Sequence, residues 1–175
     1  MSGGDRHTVA ILMGSDSDLP VMVEAVKVFE RLDVPHEVHV TSAHRSPERT
    51  AEIVGTAADR GVRVIIAGAG GAAHLAGVAA AHSTLPVLGV PLASSDLNGL
   101  DALLATAQMP AGVPVGTLGI GKAGAANAAW LAAEILSLAD EALATRLTEA
   151  RREMAQGVAD KSDAAVRKLA SLIDP

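Results

Sequence analysis

Residues 8–18 read TVAILMGSDSD, and this stretch decides the fold class. A short run of β-branched and apolar residues, Thr8 to Met13, stops at Gly14, and the polar residues Ser15, Asp16, Ser17 and Asp18 precede a helical pattern that begins at Leu19. A continuous apolar run this short, bounded by a glycine turn, reads as a strand buried on both faces. A helix is expected over 19–32, with Asp18 as its cap and Pro20 in the first turn, where no amide proton is needed.

The same alternation runs onward from this unit. A second strand is expected over 36–41 and a second helix over 47–60. A third strand spans 62–67, with a loop at 68–71 and a small-residue helix over 72–81. Strands four and five fall at 86–90 and 115–120, with a short helix at 100–107 and a Met109-Pro110-Ala111-Gly112 loop between them. Strand-helix alternation repeated five times implies a parallel sheet with helices on both faces and right-handed crossovers. The expected fold is therefore α/β: a three-layer, flavodoxin-like, doubly wound five-stranded sheet. From about 123 to 172 the chain is alanine-rich and helical, with Gly157 expected to break the helix. That is more helix than one face of such a sheet needs, so part of it is expected either to fold back or to pack on another subunit. The organisation expected is one domain over 1–175, with a core at about 7–137 and a helical extension at about 138–172.

Composition narrows the function. The 175-residue chain has a net charge of −6 and lacks a basic stripe, which argues against a nucleic-acid partner. Cysteine is absent, which removes disulfides, thiolate catalysis and cysteine-ligated metals. The residues before Thr8 lack the apolar stretch of a signal peptide, and no run approaches the ~18 apolar residues of a membrane span. A cytoplasmic protein with no membrane partner is expected. Phe29 and Trp130 are the only aromatic residues besides histidine, so the core must be built from Val, Ile, Leu and Ala.

Ligands of open parallel sheets bind beyond the carboxyl ends of the strands, where strand order reverses. Three loops should meet there: 14–18, 42–47 and 68–74. Helix N-termini present free amides and partial positive charge, which favour a phosphate, and Ser15 and Ser17 add hydroxyl donors. The alternative is that this loop only caps a helix. Asp18 cannot favour a phosphate but suits sugar hydroxyls as an acceptor. His44 beside Arg45 joins a proton carrier to a bidentate anion clamp, although a lone loop histidine is often a spacer. His74 lacks such a neighbour. His7, His36, His39 and His82 read as structural or inert.

Other chemistries compete for these residues. His44, His74 and Asp18 form a conceivable two-histidine, one-carboxylate metal site, but no His-x-His or His-x-x-x-His pair supports it. Asp16, Asp18 and Lys122 suit a receiver-type signalling module, yet such a module needs an aspartate where this chain has Ala67-Gly68-Ala69. A flavin carrier would want aromatic rings in the binding loops, which contain none.

Five ordered motifs together carry a resemblance: Met13 through Asp18, Ser42-Ala43-His44-Arg45, Gly68 through Leu75, Gln108 through Gly112, and Ile120-Gly121-Lys122-Ala123-Gly124-Ala125-Ala126-Asn127. They resemble the class I N5-carboxyaminoimidazole ribonucleotide mutases, also known as the phosphoribosylaminoimidazole carboxylase catalytic subunit family. The resemblance implies an isomerase of de novo purine biosynthesis that needs neither metal nor cofactor and assembles as a homo-octamer. It implies His44 as the catalytic acid and base, and Ser15, Asp18 and Arg45 as contacts to a small ribonucleotide substrate. Further candidate contacts from the same loops are Ser17, Ser42, Ala43, Gly70, Gly71, Ala72, His74 and Leu75. Leu19 stands where a tryptophan is common in the family, and Ala76 where proline usually follows the His-Leu pair. A related class carboxylates the aminoimidazole ribonucleotide directly with carbon dioxide, using similar loops. Lys122 and Asn127 are expected to serve the fold and subunit contacts, since the Walker spacing of a phosphate loop is absent.

Overall fold

The structure is a computed structural model that describes residues 8–173; His7 and the tail preceding it lie outside the described residues. Five parallel strands, β1 (Thr8–Met13), β2 (His36–Val40), β3 (Val62–Gly70), β4 (Val87–Leu92) and β5 (Gly116–Thr117), lie in the order β2-β1-β3-β4-β5. The chain leaves β1 for one edge and returns past it to β3, so strand order reverses between β1 and β3. This is the doubly wound order with its ligand crevice between those two strands.

Helices α1 (Leu19–Leu32), α2 (Pro47–Gly55), α3 (Leu75–His82), α4 (Leu100–Ala107) and α5 (Lys122–Ser137) complete the layers. Alternate side chains separate the two faces of the sheet. Ala10 and Leu12 of β1 join Ile65 and Ala67 of β3 in one buried cluster with Val54 of α2 and Leu75, Ala76 and Ala79 of α3. On the opposite face α1 buries Met22, Ala25, Val28, Phe29 and Leu32, a helical stripe in which the enclosed Met22, Phe29 and Leu32 side chains each contribute about 1.5–3 kcal/mol. Helix α1 ends because Asp33 turns left-handed at φ 49° and Pro35 follows.

Several boundaries differ from the sequence reading. β3 runs on through Gly70, because Ala69 and Gly70 still pair with Pro91 and Leu92. The small-residue helix accordingly starts at Leu75 rather than at position 72, after Gly71 turns the chain at φ 56°. β5 shrinks to Gly116–Thr117, paired only with Leu88 and Gly89. The second helix stops at Gly55, and Ala58–Arg60 forms a separate 3₁₀ turn.

The chain divides into two compact units between Leu136 and Ser137. The second carries α6 (Glu141–Ile173), one continuous helix of 33 residues, about 50 Å long at the α-helical rise. Asp140 caps it by accepting from the Leu143 amide at 2.9 Å. Gly157 does not break this helix. A mid-helix glycine costs only about 1 kcal/mol relative to alanine, and the Ala-, Arg-, Glu- and Lys-rich neighbours favour helix strongly enough to span it. Met154, Val158, Val166, Leu169 and Ile173 are exposed at helical spacing along α6. Among the described residues no helix is long and apolar enough to cross a membrane.

Candidate active site

The carboxyl ends of β1, β2, β3 and β4 open into a cavity of about 350 Å³. Its lining is Gly14, Ser15, Ser17, Asp18, Ser42, Ala43, His44, Arg45, Ala69, Gly70, Ala72, Leu75 and Ser94.

The β1 loop is built around Ser15. Its hydroxyl accepts from the Ser17 amide at 3.3 Å and from the Ser17 hydroxyl at 2.9 Å, while the Ser15 amide donates to Asp18 Oδ2 at 3.0 Å. This reciprocal capping arrangement closes a 3₁₀ turn at Asp16–Asp18 ahead of α1. Asp18 thus braces the turn instead of capping α1 with its side chain, as the sequence had suggested. Burial pushes the Asp18 carboxyl above its ordinary range, and Asp16 adds to this, while the amides of Ser15 and Gly14 oppose it. The loop offers hydroxyls for an anion and one carboxylate for hydroxyl groups.

The β2 loop crosses toward it. Ser42 Oγ accepts from the Arg45 amide at 3.2 Å, and the Arg45 guanidinium donates to the Gly14 carbonyl at 3.2 Å. That bond ties the two loops and uses one of five guanidinium N–H groups, leaving the fork available to an anion. Both His44 and Arg45 are exposed at the cavity.

The β3 loop supplies the third wall. His74 does not line the cavity, but its Nδ1 lies 2.8 Å from His44 Nε2, with the rings edge to face at a centroid distance of 4.9 Å. Gly71 does not line it either and serves as the left-handed turn. Leu75, though buried, reaches the wall from the start of α3. Among the described residues no three His, Asp or Glu side chains gather closely enough to hold a metal ion, so His44, His74 and Asp18 do not form a ligand set.

Residues Ser15, Ser17, Asp18, Ser42, Ala43, His44, Arg45, Gly70, Ala72 and Leu75 therefore come together as the sequence reading had them. Ser94, in the loop after β4, was missed. The signal was present in the polar run Ser94-Ser95-Asp96 directly after an apolar strand. Leu19 begins α1 half exposed and outside the cavity lining, and Ala76 is buried. Lys122 and Asn127 are exposed on α5, also outside the lining.

Comparison with known proteins identifies the family. Residues 8–157 match the family model described as AIR carboxylase. The Bacillus subtilis N5-carboxyaminoimidazole ribonucleotide mutase is 56% identical over 155 residues, covering 89% of this chain and 96% of that protein. The Pyrococcus abyssi protein of the same name is 58% identical over 146 residues, covering 83% of each. The crystal structure of Treponema denticola PurE superposes with a TM-score of 0.81 at 25% identity, covering 91% of this chain and 98% of that one. The chain belongs to the AIR carboxylase family.

Proposed function

We propose that this protein is an N5-carboxyaminoimidazole ribonucleotide mutase. It moves a carboxylate from the exocyclic nitrogen of the aminoimidazole to ring carbon C4, a step in de novo purine biosynthesis. The observation that carries the reading is the placement of His44 and Arg45 beside the Ser15 turn at the β1/β3 switch point, in a chain more than half identical to proteins of that name.

In this reading the Ser15 and Ser17 hydroxyls contact the phosphate, Arg45 pairs with anionic charge, and Asp18 accepts from ribose hydroxyls. His44 gives a proton to the exocyclic nitrogen as the nitrogen–carboxyl bond breaks, releasing carbon dioxide. C4 then attacks the carbon dioxide, and His44 takes the proton that C4 loses. One proton leaves and one returns, so the histidine is regenerated without an outside acid, base or energy source. Carbon dioxide must stay beside C4 between the two steps, which suits the small wall of Ala69, Gly70 and Ala72.

The same reading makes the protein a cytoplasmic homo-octamer. The apolar stripe of α6 and the exposed family motif around Lys122 and Asn127 support contact between copies.

Side-by-side assays test the activity. Conversion of N5-carboxyaminoimidazole ribonucleotide without added bicarbonate is the expected result. Turnover only of aminoimidazole ribonucleotide with bicarbonate, and none of the carbamate, would overturn it.

A further inference from the structure

Ser94 and Ser95 follow β4 side by side and do different work. Ser95 holds the loop: its hydroxyl donates to Asp101 Oδ2 at 2.7 Å and accepts from the Leu97 amide at 3.2 Å, and its carbonyl accepts from the Asn98 amide at 3.0 Å. The Ser94 side chain makes no hydrogen bond to any described residue, and it lines the cavity.

Gly70 leaves room for that hydroxyl. A Cβ on Gly70 would fall 2.0 Å from Ser94 Oγ and 2.7 Å from Ser94 Cβ. The hydroxyl therefore occupies the space that any larger residue at the end of β3 would fill. Ser94 is exposed, and its hydroxyl, without a partner among the described residues, is a free donor on the cavity lining.

We propose that Ser94 is a further substrate-binding residue whose Oγ donates a hydrogen bond to the migrating carboxylate; this rests on the mutase reading. The β1 loop and Arg45 already account for phosphate and sugar. β4 lies two strands from β1, roughly 10 Å away at ordinary strand spacing, so a ribonucleotide anchored by its phosphate at β1 reaches β4 with its carboxylated base. A neutral hydroxyl also suits the chemistry. The migrating group alternates between carboxylate and uncharged carbon dioxide, and a cation there would hold the carboxylate much more tightly than the intermediate.

The test is equilibrium binding to the full chain of two nucleotides, the 4-carboxylated product and aminoimidazole ribonucleotide, which lacks the carboxylate, together with kcat and KM. Ser94→Ala is expected to weaken the carboxylated nucleotide by about 10- to 100-fold, as for loss of a hydrogen bond to a charged group, and to change the other by less than about threefold. Ser94→Thr, which keeps the hydroxyl, should restore most of the difference. Unchanged affinity for both nucleotides, or equal weakening of both, would overturn the proposal. The two readings fail separately: a wild-type chain inactive on the carbamate refutes the mutase, while a discriminating Ser94→Ala effect on binding does not depend on turnover.

Discussion

His44 Nε2 and His74 Nδ1 face each other at 2.8 Å across the sheet's switch point, one from the loop after β2 and the other from the loop after β3. β1 lies between those two strands, so the hydrogen bond bridges the crevice where strand order reverses. One nitrogen must donate and the other accept, which makes the tautomer of His74 a condition on the tautomer of His44. Helix α3 begins at Leu75, immediately after His74, so the partner histidine is held at the end of an ordered element.

Proton transfer by His44 separates cleanly from binding. His44→Asn keeps a polar side chain of similar reach but cannot exchange protons, so affinity should hold while the single-turnover rate falls by roughly 10²- to 10⁴-fold. A His44→Asn rate within about tenfold of wild type would make the histidine a mere brace for its loop.

His74 should act through His44. His74→Ala removes the orienting hydrogen bond but leaves the proton carrier, so kcat is expected to fall by up to about 10²-fold, the scale of a misplaced catalytic group, and less than in His44→Asn. The conservative His74→Asn, which can still accept or donate, should recover part of the loss. Equal kcat in all three proteins would show that the pairing has no bearing on the reaction.

Arg45→Ala should divide its effects the other way. The substitution removes both the anion clamp and the tie to the Gly14 carbonyl, so ligand affinity should drop by about 10- to 100-fold, with a smaller change in single-turnover rate at saturation. Isothermal titration with product against the rate at saturating substrate distinguishes the two. A defect confined to the rate would assign Arg45 to the chemical step.

Local patterns carried most of this architecture and the cavity. Thr8 through Asp18 alone implies a strand, a turn and a helix start, and the alternation repeats often enough to imply the sheet. What local patterns could not convey was pairing. β3 extends through Gly70 because β4 lies beside it, whereas Ala69 and Gly70 read as loop when taken alone. Ser94 escaped notice for a related reason: its place in the cavity depends on Gly70 leaving a gap, a relation between residues 24 positions apart in sequence. Gly157 misled because the helix-forming strength of its neighbours outweighs one weak residue.

The edge strand carries a pH-dependent contribution to stability. Arg60 reaches Glu37 through two donors, at 2.6 and 3.3 Å, and this pairing, helped by His39 and resisted by partial burial, holds the Glu37 carboxyl below its ordinary range. A carboxylate whose pKa is lowered by folding contributes stability that is present above its unfolded pKa and is lost as pH falls through the folded one. Glu37→Gln should therefore destabilise the protein by about 1 kcal/mol or less near neutral pH, as for a partly exposed pair. The difference from wild type should vanish in acid below the ordinary glutamate range. Denaturant unfolding of both proteins across pH measures this, and a difference that persisted in acid would have another cause.

Assembly is the prediction with the widest structural consequence. Helix α6 leaves Met154, Val158, Val166, Leu169 and Ile173 exposed along one run of a helix about 50 Å long. An unpaired apolar stripe on such a helix is costly in water, and burial against a second copy of the chain removes the cost at roughly 25 cal/mol per Å² of apolar surface covered. Light scattering at micromolar concentration should give a particle larger than a dimer for the full chain. Truncation after Gly157 removes all of the stripe except Met154 and should lower that mass, with the strand and helix signals of the first unit unchanged by circular dichroism. Val158→Lys with Leu169→Lys, which keeps the helix but charges the stripe, should lower the mass in the same way. A full chain that scatters as a monomer would refute assembly, and an unchanged mass in both variants would assign the contacts between copies to a different surface, such as that around Lys122 and Asn127.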